Sequence, residues 1–352
     1  MSGCGRKAPP ASTSHVRGIT RELVQAARIA TGGRADVGMQ PEYAPREAGK
    51  PRTLLADHIF ITIPTVRSGE PNPSMREAVE AELARVATYH HLRRVRRQGV
   101  PGVERFDYME GDRRTHTIHL ITPLVAPLER GSPTRPRLAI VIDDLGYGPD
   151  QADALFRLPY PLTLSVLPNL PESGVIAEEG HRRGYQILLH LPTASTGGKK
   201  EEQVELRPGM DSEAVRRTFT TMLETVPYAV GVNNHQGSLG TADGRLMGEL
   251  MPLLRERGLF FVDSRTTAAT LAATAAHHAG VATTSRNVFL DDEDSHDAIQ
   301  EQLALAVRDA RENGSALVIG HPHPETLSVL AKTLPTIARQ GVTLVFASDL
   351  VR

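Results

Sequence analysis

The sequence contains no tryptophan, a single cysteine and only 4% aromatic residues in 352 positions. One cysteine cannot close an internal disulfide or build any cysteine-based zinc site. So few aromatics argue against extended stacking platforms, and no nucleic-acid partner is expected. No stretch approaches the roughly 18 uninterrupted apolar residues of a membrane span. What is present is 40% hydrophobic residues, enough for a real core in a chain long enough for about two domains.

The near balance of 40 Lys and Arg against 41 Asp and Glu conceals an asymmetry. Residues 1–137 carry 22 basic and 14 acidic side chains, a charge of +8, whereas 138–352 carry 18 and 27, a charge of −9. The chain is therefore two electrostatically different pieces. Its 14 histidines are the other excess to explain.

Residues 1–53 are rich in Pro, Gly, Ser, Arg and Ala, and their one amphipathic run, around Ile19, Leu23 and Val24, is too short to fold alone. They read as a flexible tether. Met1-Ser2-Gly3-Cys4-Gly5 leads small residues into the only cysteine, as at the end of a bacterial lipoprotein signal, but no charged or apolar region precedes it. Cys4 is thus a candidate lipidation site, with an ordinary exposed thiol as the alternative.

Residues 54–123 read as a small α+β domain. His58 to Pro64 forms a buried strand, Ser74 to Glu77 a capping box opening a helix, and Phe106–Glu110 with Thr115–Ile121 a hairpin turning at Gly111-Asp112. Arg93, Arg94, Arg96 and Arg97 are read as a solvated helix end. His90, His91, His116 and His119 have no metal-like spacing to carboxylates and are read as structural or surface residues. Residues 124–137, with three prolines and Gly131-Ser132, make a linker.

From 138 to 352 eight short apolar runs alternate with helical patterns. The runs are Leu138–Ile142, Leu162–Val166, Gln186–Leu189, Ala229–Val232, Leu259–Val262, Val288–Leu290, Ala316–Ile319 and Thr343–Phe346. Helices are expected near 171–183, 211–225, 244–257, 295–313 and 324–338. Repeated βα units predict an α/β fold with a parallel sheet closed or nearly closed into a barrel, and an open doubly wound sheet is the second choice.

Polar residues follow five of these strands: Asp143-Asp144, His190, Asn233-Asn234-His235, Asp263 and His321-Pro322-His323. In a parallel barrel all strand C-termini open on one face, where active sites are built. Singly, Asp144 could cap a turn, His190 could be a satisfied core histidine and Asn233 a turn residue. Jointly, a rim of Asp and His suits Zn²⁺ or a similar divalent ion with a position open for water. A second carboxylate can take the water proton and a separate histidine can protonate a leaving group. The rival motifs are poor. Gly146-Tyr147-Gly148 and Gly198-Lys199-Lys200 lack the nucleotide-binding frames, and Ser238 with His321 and Asp349 lacks a nucleophile elbow. Asp291-Asp292-Glu293-Asp294 is read as stabilising a following helix N-terminus.

Together, Val141-Ile142-Asp143-Asp144-Leu145-Gly146, His190-Leu191-Pro192, Gly231 to Ser238, Val262 to Arg265 and Gly320-His321-Pro322-His323-Pro324 resemble the divergent polysaccharide deacetylase family, relatives of the NodB-like carbohydrate esterases. The resemblance covers about 138–350 and implies a deacetylase-like distorted (β/α) barrel. It implies Asp143 as catalytic base, Asp144 and His190 as metal ligands and His321 as general acid, with His323 as competitor. The second ligand histidine expected four residues after His190 is replaced by Ala194, so His235 is the substitute. Asn234 and Asp263 are supporting residues, Asp263 to orient a histidine or help hold the metal. The implied activity is metal-dependent removal of acetyl groups from an N-acetylated, peptidoglycan-like glycan by an exported, periplasmic or cell-envelope protein. Tyr147, Tyr160 and Phe289 would have to hold the sugar. The altered ligand pattern keeps an alternative open: a catalytically inactive adaptor binding glycan or protein, its basic N-terminal region contacting an envelope partner.

Overall fold

The computed structural model describes residues 13–44, 53–64, 72–123, 135–196 and 204–352, and Cys4 and most of the expected linker lie outside them. The chain divides into two compact units, Met1–Thr122 and Pro123–Arg352. No helix among the described residues is long and apolar enough to cross a membrane.

The first unit contains α1 (Thr13–Ala30), β1 (Asp36–Tyr43), β2 (Leu54–Thr62), α2 (Pro73–Tyr89), β3 (Arg93–Arg96), β4 (Val103–Glu110) and β5 (Arg113–Ile121). Its sheet runs β1-β2-β5-β4-β3, with β2 and β5 parallel at the centre and the remaining pairs antiparallel. The tether reading therefore fails for residues 13–43, which supply a helix and an edge strand. The stripe Ile19, Leu23, Ala26 and Ala27 is too weak to hold a helix by itself, but it packs into one core with Val79 and Leu83 of α2 and Ile59, Ile61, Ile118 and Leu120 of the sheet. Tertiary burial, not propensity, stabilises such a helix.

Two local expectations also change. The cap of α2 is Asn72, whose side chain accepts from the Met75 amide at 3.2 Å with Pro73 opening the helix, rather than the box at Ser74. The arginines do not end that helix. Arg93, Arg94 and Arg96 lie in β3, an edge strand whose charges discourage further pairing. Arg94 bonds Glu80 and Glu104 and lies 3.7 Å over the Phe106 ring.

The second unit alternates strands and helices: β6 (Arg137–Leu145), α3 (Pro149–Leu155), β7 (Thr163–Val166), α4 (Ser173–Arg183), β8 (Gln186–Thr193), α5 (Ser212–Leu223), β9 (Ala229–Gln236), α6 (Gly244–Glu256), β10 (Phe260–Asp263), α7 (Ala272–Ala279), β11 (Thr283–Ser285), β12 (Val288–Phe289), α8 (His296–Asn313), β13 (Ser315–Gly320), α9 (Pro324–Arg339) and β14 (Thr343–Val345). All nine strands are parallel, in the order β11-β10-β9-β8-β7-β6-β13-β12, with β14 also pairing β6. The two strands that end this path, β11 and β12, are consecutive in the chain and joined by Arg286 and Asn287 alone. Three Cα steps span at most ~11 Å, so the sheet must curl until its edges nearly meet. This is the distorted barrel, not the open sheet. Alternate residues fill it: Ala139 and Val141, Leu188, Phe260 and Val262, Leu317 and Ile319, and Val345. Gly231 leaves room there, since a Cβ would stand 2.7 Å from the Phe260 ring.

Candidate metal centre

Adjacent residues of a regular strand point to opposite faces, so Asp143 and Asp144 should not reach the same place. Two local features bring them together. The pairing of β6 with β7 shifts register between Ile142 and Leu145, and Asp144 takes a left-handed φ of 59°. Such a bulge re-aims side chains at a rim. Gln236 (φ 53°) and Arg265 (φ 48°), at and just beyond the ends of β9 and β10, share this conformation, and non-glycine residues held there cluster at functional sites.

Oδ1 of Asp144 lies 3.0 Å from Nε2 of His190 and 2.9 Å from Nδ1 of His235, and the two nitrogens are 3.1 Å apart. Three ligand atoms from β6, β8 and β9 thus converge on one point. Oδ1 of Asp144 is buried and has no hydrogen-bond partner. A tetrahedral ion with bonds of about 2.0–2.2 Å separates its ligand atoms by roughly 3.3–3.6 Å, so a small relaxation would seat one and satisfy the orphaned oxygen. The histidines hold Asp144 far below the ordinary carboxylate range against the opposing effect of burial. Burial also disfavours a charged His190, but the charge of Asp143 and the close carboxylate of Asp144 outweigh it and raise its pKa.

Asp143 is 3% exposed and stands beside this cluster, Oδ2 being 3.6 Å from His190 Nε2. Nδ2 of Asn233 donates to both its oxygens, at 2.9 and 3.1 Å. Opposite them, His321 directly follows β13 and places Nε2 3.8 Å from Oδ2 of Asp144. Asp291 grips His321 twice: Oδ1 accepts from ring Nδ1 at 2.9 Å and Oδ2 from the backbone amide at 2.6 Å. Burial lowers the His321 pKa, yet the Asp291 hydrogen bond, Asp143 and the other nearby carboxylate charge outweigh it and push the pKa up to about 9.

Asp291 corrects the reading of the acidic run after Val288–Leu290. The cap of α8 is Ser295, while Asp291 is buried and reaches across to His321. The rule applied to the other strands, that a polar residue just past a strand end faces the rim, would have found it. Asp291, His321 and His323 also form a second group with ligand atoms within 4.8 Å, but Asp291 is already engaged, with Thr326 donating to Oδ2 at 2.8 Å. His323 stands at the N-cap position of α9 without a side-chain capping bond, its ring 5.6 Å from that of His321.

Asn234 and Asp263 lie among rim-bracing bonds. Asn234 donates to the Gln236 carbonyl at 2.7 Å and accepts from the Ser264 amide at 3.0 Å. Asp263 accepts from the Arg265 amide at 2.8 Å and the Thr270 hydroxyl at 3.0 Å, so it braces the loop after β10 and neither orients a histidine nor joins the ligand atoms. Ala194, where a second ligand histidine was expected, is buried, and its carbonyl accepts from the Leu239 and Gly240 amides. The serine-hydrolase rival does not assemble: Ser238 Oγ accepts from the Thr196 amide and Asp349 from the Phe346 amide. Phe289 meets His321 edge-on at 5.4 Å with the Arg286 guanidinium 4.9 Å over its ring, and Tyr147 is exposed.

The model of the divergent polysaccharide deacetylase family matches residues 140–351. The chain belongs to that family. Its curated relatives include the uncharacterized protein YibQ of Escherichia coli (strain K12), 40% identical over 215 residues, 61% of this chain and 67% of YibQ. An uncharacterized protein of Haemophilus influenzae is 38% identical over 216 residues, 61% of this chain and 77% of that protein. Among solved structures, the uncharacterized protein ATU2773 from Agrobacterium tumefaciens C58 superposes with a TM-score of 0.61 at 24% identity, covering 65% of this chain and 93% of ATU2773, a likeness of fold. The family match begins in β6, so it embraces every residue of the rim and none of the first unit.

Proposed function

We propose that the barrel is a metal-dependent hydrolase that removes acetyl groups from an N-acetylated, peptidoglycan-like glycan of the cell envelope. The observation that carries this reading is the convergence of Asp144, His190 and His235 beside a separately held carboxylate, Asp143. Asp144, His190 and His235 are the ligands of a divalent ion, with Zn²⁺ favoured by two imidazoles and one carboxylate. When bound, such an ion polarises an acyl carbonyl and lowers the pKa of water toward about 7.

Asp143, fixed through both oxygens by Asn233, accepts the proton of the attacking water. As oxygen adds to the acyl carbon, the amide carbon–nitrogen bond breaks. His321, kept protonated by Asp291, gives its Nε2 proton to the departing amine. The products are acetate and a free amino sugar. Membership in the family supports a glycan substrate, and a peptidoglycan-like substrate favours an exported, envelope location.

The test is acetate release from N-acetylglucosamine oligomers and from peptidoglycan, with and without a chelator. Release that is chelator-sensitive and lost in Asp143→Asn is expected. A metal-free barrel with no chelator-sensitive thermal shift would instead identify a non-catalytic glycan- or protein-binding adaptor.

A further inference from the structure

Asn233 lies in β9 directly across from His190 of β8 and is fully buried. All of its side-chain hydrogen-bonding capacity is used. Nδ2 donates to the two oxygens of Asp143 and, at 3.3 Å, to Ser264 Oγ. Oδ1 accepts from Ser165 Oγ at 2.5 Å and faces His190 Nδ1 at 3.0 Å.

The amide can be oriented only one way. An ionised carboxylate accepts and never donates, so the NH₂ end must face Asp143 and the carbonyl end must face His190. A carbonyl oxygen only accepts, so the His190 proton there sits on Nδ1. In neutral imidazole that leaves the lone pair on Nε2, the atom that faces Asp144 and His235. One non-titrating side chain thus translates the charge of the base into the ligand tautomer of a histidine about one amide width away.

We propose that Asn233 is a positioning residue that couples the two halves of the site, holding Asp143 by its NH₂ and fixing His190 with Nε2 free to bind metal. This rests on the metal-centre reading above, though not on any particular substrate. Outer partners of metal-bound histidines are worth about 10–100-fold in affinity, and Asn233 adds to that role a direct grip on the base.

The test uses the full chain and zinc alone, titrated against a chromophoric chelator, with the Co²⁺ absorption spectrum as a second reading. Asn233→Leu keeps the size and removes both ends of the amide, and is expected to weaken zinc binding by about 10–100-fold and to alter the Co²⁺ bands. The swap Asp143→Asn with Asn233→Asp reverses the donor and acceptor between the two positions but still offers His190 an acceptor. It is expected to bind zinc within about threefold of Asp143→Asn alone and with the same spectrum, because the tautomer is preserved.

Wild-type affinity and spectrum in Asn233→Leu overturn the proposal. So does a swap whose affinity falls tenfold or more below that of Asp143→Asn, a comparison that decides the matter alone if Asn233→Leu does not fold. These readings require no turnover, so they judge Asn233 whether or not acetate is released. If the proposed reaction holds, Asn233→Leu at saturating zinc also loses kcat with KM little changed, because Asp143 has lost both of its hydrogen bonds.

Discussion

Both units bury histidines, and they do opposite things with them. In the first unit His116 is fully buried, with Nε2 near the Thr20 hydroxyl and the Val16 carbonyl and Nδ1 near the Thr115 hydroxyl. With neutral partners burial dominates, and its pKa is pushed down to about 4. His58 there joins Glu42 at 2.9 Å and His119 at 3.0 Å, tying strands of one sheet together. At the barrel rim, His190 and His321 are drawn upward by carboxylates, and ring nitrogens of His190 and His235 converge with a carboxylate oxygen. Burial of histidine is thus compatible with a structural rivet or with a reactive centre. The partners decide which.

The contrast breaks most sharply at Asp144. Asp144→Ala should abolish metal retention and reduce acetate release by more than about a thousandfold, the scale expected when a catalytic metal is lost. His116→Gln should leave metal content, measured by plasma emission, unchanged. Metal lost from the second variant and kept by the first would invert the assignment of the two clusters.

Asp143→Asn tests whether base and ligand are separate functions of neighbouring carboxylates. It should lower kcat by about 10²–10⁴-fold while zinc content stays at the wild-type level. Equal loss of metal and activity would mean that Asp143 is a ligand. A smaller effect is expected across the cleft. Asp291→Asn should cost about tenfold or more in kcat, less than His321→Gln at about a hundredfold, and double substitution should add little to the latter.

The least effect concerns stability in the first unit. Between about pH 6.5 and 4 the unfolded chain binds a proton that native His116 refuses, so stability falls as pH is lowered through that window, by up to about 3 kcal/mol. Denaturation followed by circular dichroism at pH 7 and pH 4 measures the loss, which His116→Gln should diminish. An undiminished loss would place the acid sensitivity in other groups.

Much of the barrel is legible in sequence because parallel strands buried on both faces read as short continuous apolar runs, as at Leu138–Ile142 and Ala316–Ile319. The exceptions have physical causes. Thr283–Ser285 has no apolar run to betray β11, and Ala272–Ala279 is too short and too uniform for a helical stripe. The helix Thr13–Ala30 is hidden because its stability comes from a sheet formed by distant residues. At the rim, the place of a residue along its strand is the informative signal. His235 and His321 lie near or just past strand ends, whereas His58 and His116 are in mid-strand. Asn233 is missed as a separate site residue because an asparagine near a strand end also suits an ordinary turn, and only its four partners reveal its use.

The register shift in β6 gives the site a dependence on parity. Asp143 and Asp144 serve one cleft because the strand has miscounted by a residue between Ile142 and Leu145. The extra residue is one of the two aspartates themselves, so the same strand paired in regular register would turn one carboxylate to the other face, although every other ligand-bearing side chain stayed in place. Register at this point is therefore as much a part of the chemistry as residue identity. A related chain that keeps Asp-Asp but pairs this strand without the shift would look complete as a motif and be unable to assemble the centre.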